Sequence, residues 1–154
     1  MGVPSEIVCP YDDKVFAYRP GPEVDRDAFD RRGELRVNYF PIIDVDAALI
    51  NAIERVLTSG RGVAFGISVS EAFCATLPSG IVKAPGQNDK IAGGHCLTIV
   101  GHNRAERWFL VKNSWSAAWS EPGQPNGCCR FSYDYVANLA SDCWFCGLAT
   151  GGAR

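Results

Sequence analysis

The sequence predicts an α+β domain in which a curved antiparallel β-sheet, or half-barrel, packs with one main helix and short flanking helices. Three observations lead to this prediction. One amphipathic segment occupies 45–58, a run of β-branched and aromatic segments follows it, and Gly, Pro and Asn cluster between most of those segments. A single helix followed by strands with hairpin-like connections is typical of the α+β class.

The first part of the chain, 1–33, is predicted to be an extended connector. Prolines alternate there with short polar pieces, at Pro4, Pro10, Pro20 and Pro22. Only 24–32 has the composition of a short helix. The β-rich domain is expected to occupy 34–150, and 151–154 is expected to be a tail.

The segment after Gly33 has the clearest periodicity. Residues 35–43 are β-branched and aromatic, which indicates a strand. Asp44 is a candidate N-cap for a helix over 45–58, and Ser59-Gly60 would end it. The apolar residues of this helix fall on one face: Val45, Ala48, Leu49, Ala52, Ile53 and Val56.

The rest of the chain is predicted to be mainly strands. These lie at 63–69, 95–102, 108–113, 128–133 and 144–148. A short helix is expected at 70–75, with Ser70 as its cap. The Gly- and Pro-rich stretch 77–94 is predicted to be a long loop, which usually indicates function or mobility.

Composition excludes several classes of function. Apolar residues make up 47% and charged residues 21%, and the net charge is −2 with acids and bases mixed. Neither nucleic acid nor a membrane is therefore expected as a partner. No apolar run approaches the ~20 residues that span a bilayer, and the N-terminus has no secretory signal. No cofactor is expected, and the chain as written is expected to stay in the cytoplasm, where it is made.

The chain has seven cysteines, so at least one is unpaired within it. Reduced or partly paired thiols are favoured over a full disulfide framework. Cys143 and Cys146 have the spacing of a redox or metal-binding pair. Two bulky aromatic residues lie between them and the chain has no second cluster, so core residues or a local disulfide are the favoured interpretation, and no metal site is expected.

Two histidines are present, so any histidine-dependent chemistry uses His95 or His102. His95 follows Gly93-Gly94 at the start of a predicted strand. It can face a cleft there while its neighbours are buried, although a simple polar strand end is the plainer interpretation.

The next predicted strand ends at Asn113, which is followed by Trp115 and Trp119. If the two strands form a hairpin across 103–107, their far ends meet and His95 lies close to Asn113. The amide oxygen would accept a hydrogen bond from one imidazole nitrogen and leave the other for a thiol. An indole packed over that contact would exclude water from it.

These segments resemble the papain family of cysteine peptidases, in particular its bacterial members. The stretch GHCLTIVG at 94–101 resembles the family's histidine strand, and FLVKNSWSAAW at 109–119 resembles its more specific asparagine motif. Three further matches follow the same order: GVPSE at 2–6 with PYD at 10–12, VAFGI at 63–67 with Phe73, and YDYV at 133–136. The resemblance covers nearly the whole chain.

The resemblance implies the right-hand, C-terminal domain of such a peptidase, which hydrolyses peptide bonds by a Cys-His-Asn mechanism. It implies that His95 is the general base, that Asn113 orients it, and that Trp115, supported by Trp119, shields their hydrogen bond. It also implies a peptide or protein substrate. The residues that it assigns to substrate binding are Val63 and Cys96, which would line one pocket, and Gly93 and Gly94, which would leave room for substrate backbone.

The resemblance also has departures. The family's nucleophilic cysteine and oxyanion-hole glutamine precede all the motifs found here, so the chain as written is expected to begin downstream of both. Ser116, Ala117, Ala118 and Ser120 replace glycines around Trp119, and 121–127 is longer than usual. Among the resident cysteines, Cys96 should point away from the face that carries His95. Cys9 lies in the connector, and Cys74 is expected to be packed on the short helix.

Three hypotheses follow. The chain is the C-terminal portion of a cysteine peptidase that is inactive alone, completed by upstream sequence or by a separately encoded N-terminal half. Alternatively, it is a degenerate relative that binds peptides or proteins without cleaving them. The third hypothesis is a structural or redox module that uses the cysteine-rich end.

Overall fold

The computed structural model describes residues 4–10, 12, 14, 19–31, 37–75, 77–86 and 88–148. The chain divides into two compact units, Met1–Asn38 with Leu148–Arg154, and Tyr39–Gly147. Within the described ranges no helix has both the length and the apolar character needed to cross a membrane. The expected tail 151–154, and positions 35 and 36 of the first predicted strand, lie outside these ranges.

The first unit contains helix α1, Pro22–Asp30. Proline is suited to the first helical position because its missing N–H would have no partner there and its φ is already helical. Val24 and Ala28, four residues apart, are the buried residues of this helix. The backbone N–H of Ser5 donates to the Asp27 carboxylate at 2.7 Å. The short helix predicted at 24–32 is therefore confirmed, with a start two residues earlier.

The structure contains a six-stranded sheet. Its strands are β1 (Val37–Pro41), β2 (Val63–Ser70), β3 (Ile91–Asn103), β4 (Trp108–Lys112), β5 (Cys128–Ser132) and β6 (Ala140–Leu148), in the spatial order β1-β6-β2-β3-β4-β5. The pairs β2–β3, β2–β6, β3–β4 and β4–β5 are all antiparallel. The predicted α+β class with an antiparallel sheet is confirmed.

The two faces of this sheet differ in burial. The inner face carries Val63, Phe65 and Ile67 of β2, all at most 2% exposed, together with buried residues of β3, β4 and β5. Side chains alternate across a strand, so Ala64 and Gly66 belong to the opposite, outer face. In the β2–β3 register Gly66 is paired with Cys96, which places Cys96 on the outer face as well.

Among its described residues, the second unit has three helices: α2 (Asp46–Thr58), α3 (Glu71–Ala75) and α4 (Tyr133–Leu139). The main helix was predicted correctly, but the capping prediction for Asp44 was wrong. Asp44 lies one residue before the N-cap, which is Val45. Valine has no side-chain acceptor, so the helix start has no side-chain cap. Val45, on the predicted apolar face, is 69% exposed, whereas the charged Glu54 is buried.

The two short helices are capped by serines. The Ser70 hydroxyl accepts a hydrogen bond from the N–H of Phe73 at 3.2 Å, as predicted. Helix α4 was not predicted, since 133 was assigned to a strand. The Ser132 hydroxyl accepts from the N–H of Tyr135 at 3.2 Å and starts this helix.

The predicted loop 77–94 is shorter in the structure because β3 already begins at Ile91. Part of this loop runs beside β5. The N–H of Val82 donates to the carbonyl of Arg130 at 2.7 Å, and its carbonyl accepts from the N–H of Ser132 at 2.9 Å. These bonds cover a segment of the sheet edge that would otherwise be open.

Candidate active site

His95 lies near the start of β3 and is half-buried. In register it is opposite Ile67, on the side of the strand that carries Leu97 and Ile99. The two glycines that precede it leave open space, since a Cβ at Gly93 or Gly94 would meet no atom within 4 Å. The imidazole thus lies on the same side of β3 as the buried Leu97 and Ile99, and the backbone before it carries no side chains.

Asn113 follows directly after β4 and reaches the imidazole. Its Oδ1 is 3.0 Å from His95 Nε2. The register of the β3–β4 hairpin accounts for this contact, because Thr98 is opposite Lys112 and the chain then continues past the end of the ladder. The predicted proximity of these two side chains is a feature of the structure.

The orientation of the Asn113 amide determines the tautomer of His95. The backbone N–H of Ser114 donates to Asn113 Oδ1 at 2.7 Å, so the atom at that position must be the oxygen. An amide oxygen only accepts, and His95 Nε2 therefore carries the hydrogen. In the neutral ring Nδ1 has the lone pair and is the atom available to accept a proton.

Two tryptophans surround this pair. The Trp115 ring stacks on the His95 ring with centroids 4.9 Å apart and planes inclined by 26°. Trp119 meets Trp115 edge-on at 5.4 Å, and Phe73 lies 5.5 Å from both indoles. Trp119 is buried, whereas Trp115 is 38% exposed. Trp115 covers the imidazole on one side and is backed by Trp119.

The loop 114–127 holds Trp115 by hydrogen bonds. The N–H of Asn113 donates to the carbonyl of Gly127 at 2.8 Å and closes the base of the loop. Inside it, the Ser120 hydroxyl accepts from the N–H of Gly127 at 2.7 Å and donates to the carbonyl of Ala117 at 2.9 Å. The sequence indicates Ser120 only as a residue that replaces a glycine. The structure shows that its hydroxyl joins two parts of the loop by hydrogen bonds, and we call this pair of bonds the latch.

A buried ion pair fastens the same loop to β5. Glu121 is 2% exposed, and its carboxylate accepts hydrogen bonds from the guanidinium and the backbone N–H of Arg130. Burial alone would raise the pKa of Glu121, but the hydrogen bonds from Arg130 outweigh it and keep that pKa below its usual value. The long segment after Trp119 is thus anchored rather than loose.

Two buried donors near this site have no hydrogen-bond acceptor within the described parts of the chain. They are Asn113 Nδ2 and Trp119 Nε1. Because buried polar groups are nearly always paired, we expect each of them to have an acceptor such as an ordered water molecule. No group of three His, Cys, Asp or Glu side chains within the described ranges is placed to hold a metal ion.

None of the seven cysteines, all of which lie in the described ranges, donates to or accepts from the His95 ring. Cys96 is exposed on the outer face of the sheet, and Cys74 is exposed on α3 rather than packed as expected. Cys128, Cys129 and Cys143 are buried. Burial raises the pKa of Cys129 to about 12 and that of Cys143 to about 11, so both thiols stay protonated at neutral pH.

The structure does not bring Val63 and Cys96 into one pocket, which corrects that expectation. Val63 is fully buried on the inner face opposite Ile99, whereas Cys96 is on the outer face opposite Gly66. Gly66 is three positions after Val63 on β2. Because side chains alternate along a strand, Val63 lies on one face of the sheet, and Gly66 with Cys96 lies on the other. A hollow of about 450 Å³ does lie beside His95, lined by 66–68, 94–96 and Ser141. Of the two residues, only Cys96 borders it.

Comparisons with known proteins agree with this arrangement. The profile of the papain family cysteine proteases matches residues 8–137. An uncharacterized peptidase C1-like protein of Acanthamoeba polyphaga mimivirus is 34% identical over 149 residues, which are 93% of this chain and 46% of that protein. The chain thus spans about half the length of this relative.

Two solved structures share the fold. Xylellain, a cysteine protease from Xylella fastidiosa, is 25% identical with a TM-score of 0.74, and the match covers 96% of this chain and 57% of xylellain. The bromelain protease from Ananas comosus is 18% identical with a TM-score of 0.62, and the match covers 96% of this chain and 64% of that protein. This similarity supports the fold alone. The chain belongs to the papain family of cysteine proteases.

Proposed function

We propose that this chain provides the general base and its orienting amide to a cysteine protease that hydrolyses peptide bonds by a Cys-His-Asn mechanism. The observation that carries the proposal is the 3.0 Å contact between His95 Nε2 and Asn113 Oδ1, with the amide oriented by Ser114. Family membership supports the reaction class, and this geometry supports the roles proposed for the two side chains.

The chemistry follows from the tautomer. Nδ1 of neutral His95 accepts the proton of a thiol placed beside it, which produces a thiolate and an imidazolium. Asn113 Oδ1 accepts the Nε2 hydrogen before and after this transfer, so the ring keeps its direction. Trp115 covers the ring and keeps water from competing for that bond. The imidazolium then returns the proton to the leaving amine.

The attacking thiol belongs, in this proposal, to none of the described cysteines, so the chain is inactive by itself. Cys96 is next to His95 in sequence but on the outer face, and the buried thiols have raised pKa values. A further portion of the same polypeptide, or a separately encoded partner, supplies the thiol. The span of about half of its relative's length is consistent with that division.

A second candidate is a peptide-binding module without catalysis. It is favoured by one observation, namely that His95 Nδ1 has no thiol partner within the described residues. The two candidates differ in what happens when a thiol is provided. A protease fragment gains hydrolysis that depends on His95, and a binding module does not.

The test uses a fluorogenic peptide substrate and an epoxide probe for cysteine proteases, followed by intact mass. The chain alone is expected to show no turnover and no adduct on a nucleophilic thiol. Co-expression with a polypeptide that supplies the other half of a papain-family protease is expected to give turnover that is lost in His95→Ala. Turnover by the chain alone, abolished by His95→Ala and accompanied by an adduct on a resident cysteine, would contradict the proposal.

A further inference from the structure

A β-bulge lies in β3 between His95 and the turn that leads to β4. The pairing with β4 advances by two residues in β3, from Ile99 to Gly101, while it advances by only one residue in β4. One extra residue in a strand exchanges the two faces for all the side chains beyond it. His102 is therefore opposite Phe109, a fully buried residue of the inner face.

The bulge places the His102 ring beside helix α2. Its Nδ1 is 3.5 Å from Oε1 of Glu54, which is buried on that helix. Without the extra residue, His102 would share the outer face with Cys96, because an even number of positions separates them. The approach of this histidine to α2 is thus a consequence of the bulge.

A polar hollow of about 560 Å³ lies between α2 and this end of β3. It is lined by Asn51, Glu54, Arg55, Thr58, His102 and Arg104. The four helical residues are spaced i, i+3, i+4 and i+7, so they form one stripe along α2. His102 is seven positions from His95 along an extended strand, on the order of 20 Å, so the hollow is separate from the candidate active site.

The guanidinium of Arg104 is oriented at the edge of this hollow. Its Nε donates to Glu54 Oε2 at 2.9 Å, and its Nη2 donates to the same oxygen and to Asn51 Oδ1, each at 2.5 Å. Nη1 has no acceptor within the described parts of the chain, and most of the side chain is exposed. Arg104 therefore offers a donor whose direction is already fixed by a buried carboxylate.

Positive charge exceeds negative charge in the hollow. Arg55 is exposed and has no ion pair or hydrogen bond through its side chain to any other described residue. Glu54 is the one acid among the described residues that line the hollow, and its oxygens already accept from Arg104 and from the Tyr133 hydroxyl. Two guanidinium groups and one carboxylate leave a formal charge of +1 while His102 is neutral.

Two further acids belong to an adjoining hollow, which shares Arg104 with this one. Of these, Asp134 forms an ion pair with Arg107 at 3.0 Å. The other is Asp46, which begins α2 and is nine positions from Arg55. That is about 14 Å along the helix axis, longer than the Debye length of about 8 Å at physiological salt. Neither acid therefore cancels the charge at Arg55.

We propose that this hollow binds a phosphate group, either as the free anion or as a phosphomonoester of a small molecule. Donors reach it from three elements: Arg55 from α2, His102 from β3 and Arg104 from the turn. A tetrahedral dianion has oxygens that point in several directions, whereas a carboxylate has two oxygens in one plane. Arg104 needs little reordering, since Glu54 already holds it. The inference does not depend on the proposed function.

The test is a chemical-shift titration of the ¹⁵N-labelled chain with sodium phosphate, glycerol 2-phosphate or sodium acetate, at one ionic strength maintained with NaCl. Both phosphates are expected to bind about tenfold more tightly than acetate, because they carry more charge and more acceptor oxygens. The amides of Arg55, His102 and Arg104 are expected to shift, and those of Gly94 and Cys96 are expected to stay in place. Tighter binding of glycerol 2-phosphate assigns the site to a phosphomonoester, and equal or tighter binding of phosphate assigns it to the free anion.

Three variants make the test specific. Arg55→Gln removes one charge at an exposed position and is expected to weaken phosphate binding about fivefold. Arg26→Gln makes the same change at an exposed position of α1 and is expected to leave binding unchanged. His102→Gln, a second change in the hollow, is expected to weaken binding about threefold, because it removes a ring that can carry positive charge. An amide spectrum that retains its dispersion shows that each variant is folded.

Three results would overturn the inference. Equal affinity for phosphate and acetate at matched ionic strength would show that the hollow does not recognise a phosphate group. Phosphate binding that is unchanged in both Arg55→Gln and His102→Gln would place the anion elsewhere. Shifts that leave the amides of Arg55, His102 and Arg104 unmoved would do the same.

Discussion

The carboxylate of Glu54 accepts a hydrogen bond from the hydroxyl of Tyr133 at 2.5 Å, although 79 positions separate the two residues. Glu54 is on the buried side of α2 and Tyr133 begins α4. Arg104, in the turn between β3 and β4, donates to the same carboxylate at 2.9 Å through Nε. One buried acid thus ties two helices and a hairpin together.

Replacement of Glu54 by Ala is expected to destabilise the fold. It leaves the buried Tyr133 hydroxyl without its acceptor, and an unsatisfied buried polar group costs about 1–3 kcal/mol. Urea unfolding measures the change, with Glu71→Ala at an exposed position as the control. A loss no greater than in the control would show that the Glu54 contacts do not stabilise the native state.

Stability is expected to fall in acid. Hydrogen bonds from Arg104 hold the pKa of Glu54 below its usual value of 4.5, and those from Arg130 hold the pKa of Glu121 below the same value against the effect of burial. Because the folded pKa values are depressed, both acids stabilise the fold above pH 4.5 and lose this contribution as pH falls through their folded pKa values. Urea unfolding between pH 7 and 2 measures the slope. A double Gln variant at 54 and 121 should have a flatter slope than the native chain, and an unchanged slope would contradict the assignment.

Removal of the Ser120 hydroxyl is expected to loosen the loop that carries Trp115. Ser120→Ala leaves the N–H of Gly127 and the carbonyl of Ala117 without these partners, which costs about 1–2 kcal/mol. Urea unfolding and acrylamide quenching of tryptophan fluorescence report the two effects. Ser79→Ala, on an exposed loop, is the matched control. Identical quenching in the two variants would show that the latch does not position Trp115.

The tautomer of His95 is directly observable. Long-range ¹H–¹⁵N spectra are expected to show the hydrogen on Nε2, because Asn113 Oδ1 accepts it. Asn113→Ala removes the acceptor and is expected to produce a mixture of tautomers with faster exchange of that hydrogen. His102, whose Nδ1 lies 3.5 Å from Glu54, is an internal control that should not change. A native His95 protonated on Nδ1 would contradict the proposed role of Asn113.

Thiol reactivity is expected to divide the cysteines by burial. Cys74, Cys96 and Cys146 are exposed and should react first with a disulfide reagent at pH 8. Cys128, Cys129 and Cys143 should react only when the chain unfolds, because they are buried and two of them have raised pKa values. Peptide mass mapping over time identifies the order. Early modification of Cys129 in the folded chain would contradict it.

Local patterns were sufficient for much of the fold. Apolar periodicity of 3.6 located α2, and β-branched and aromatic composition located the strands of the sheet to within a few residues. The hydroxyl of Ser70 indicated the start of α3. These signals are carried by neighbouring residues and do not depend on distant contacts. Helix α4 was missed although Ser132 caps it, because Tyr133, its first residue, was assigned to the end of the strand before it.

The sequence by itself determined the family, the antiparallel α+β fold and the meeting of His95 with Asn113, because motif order and hairpin pairing are readable along one chain. Tertiary structure decided which face each side chain occupies. It separated Val63 from Cys96, buried Glu54 beside Tyr133, and turned Asp142 toward Gly66 through a one-residue bulge. A shift of one residue in register reverses the side of the sheet to which a side chain points, and such a shift leaves no reliable mark in the sequence.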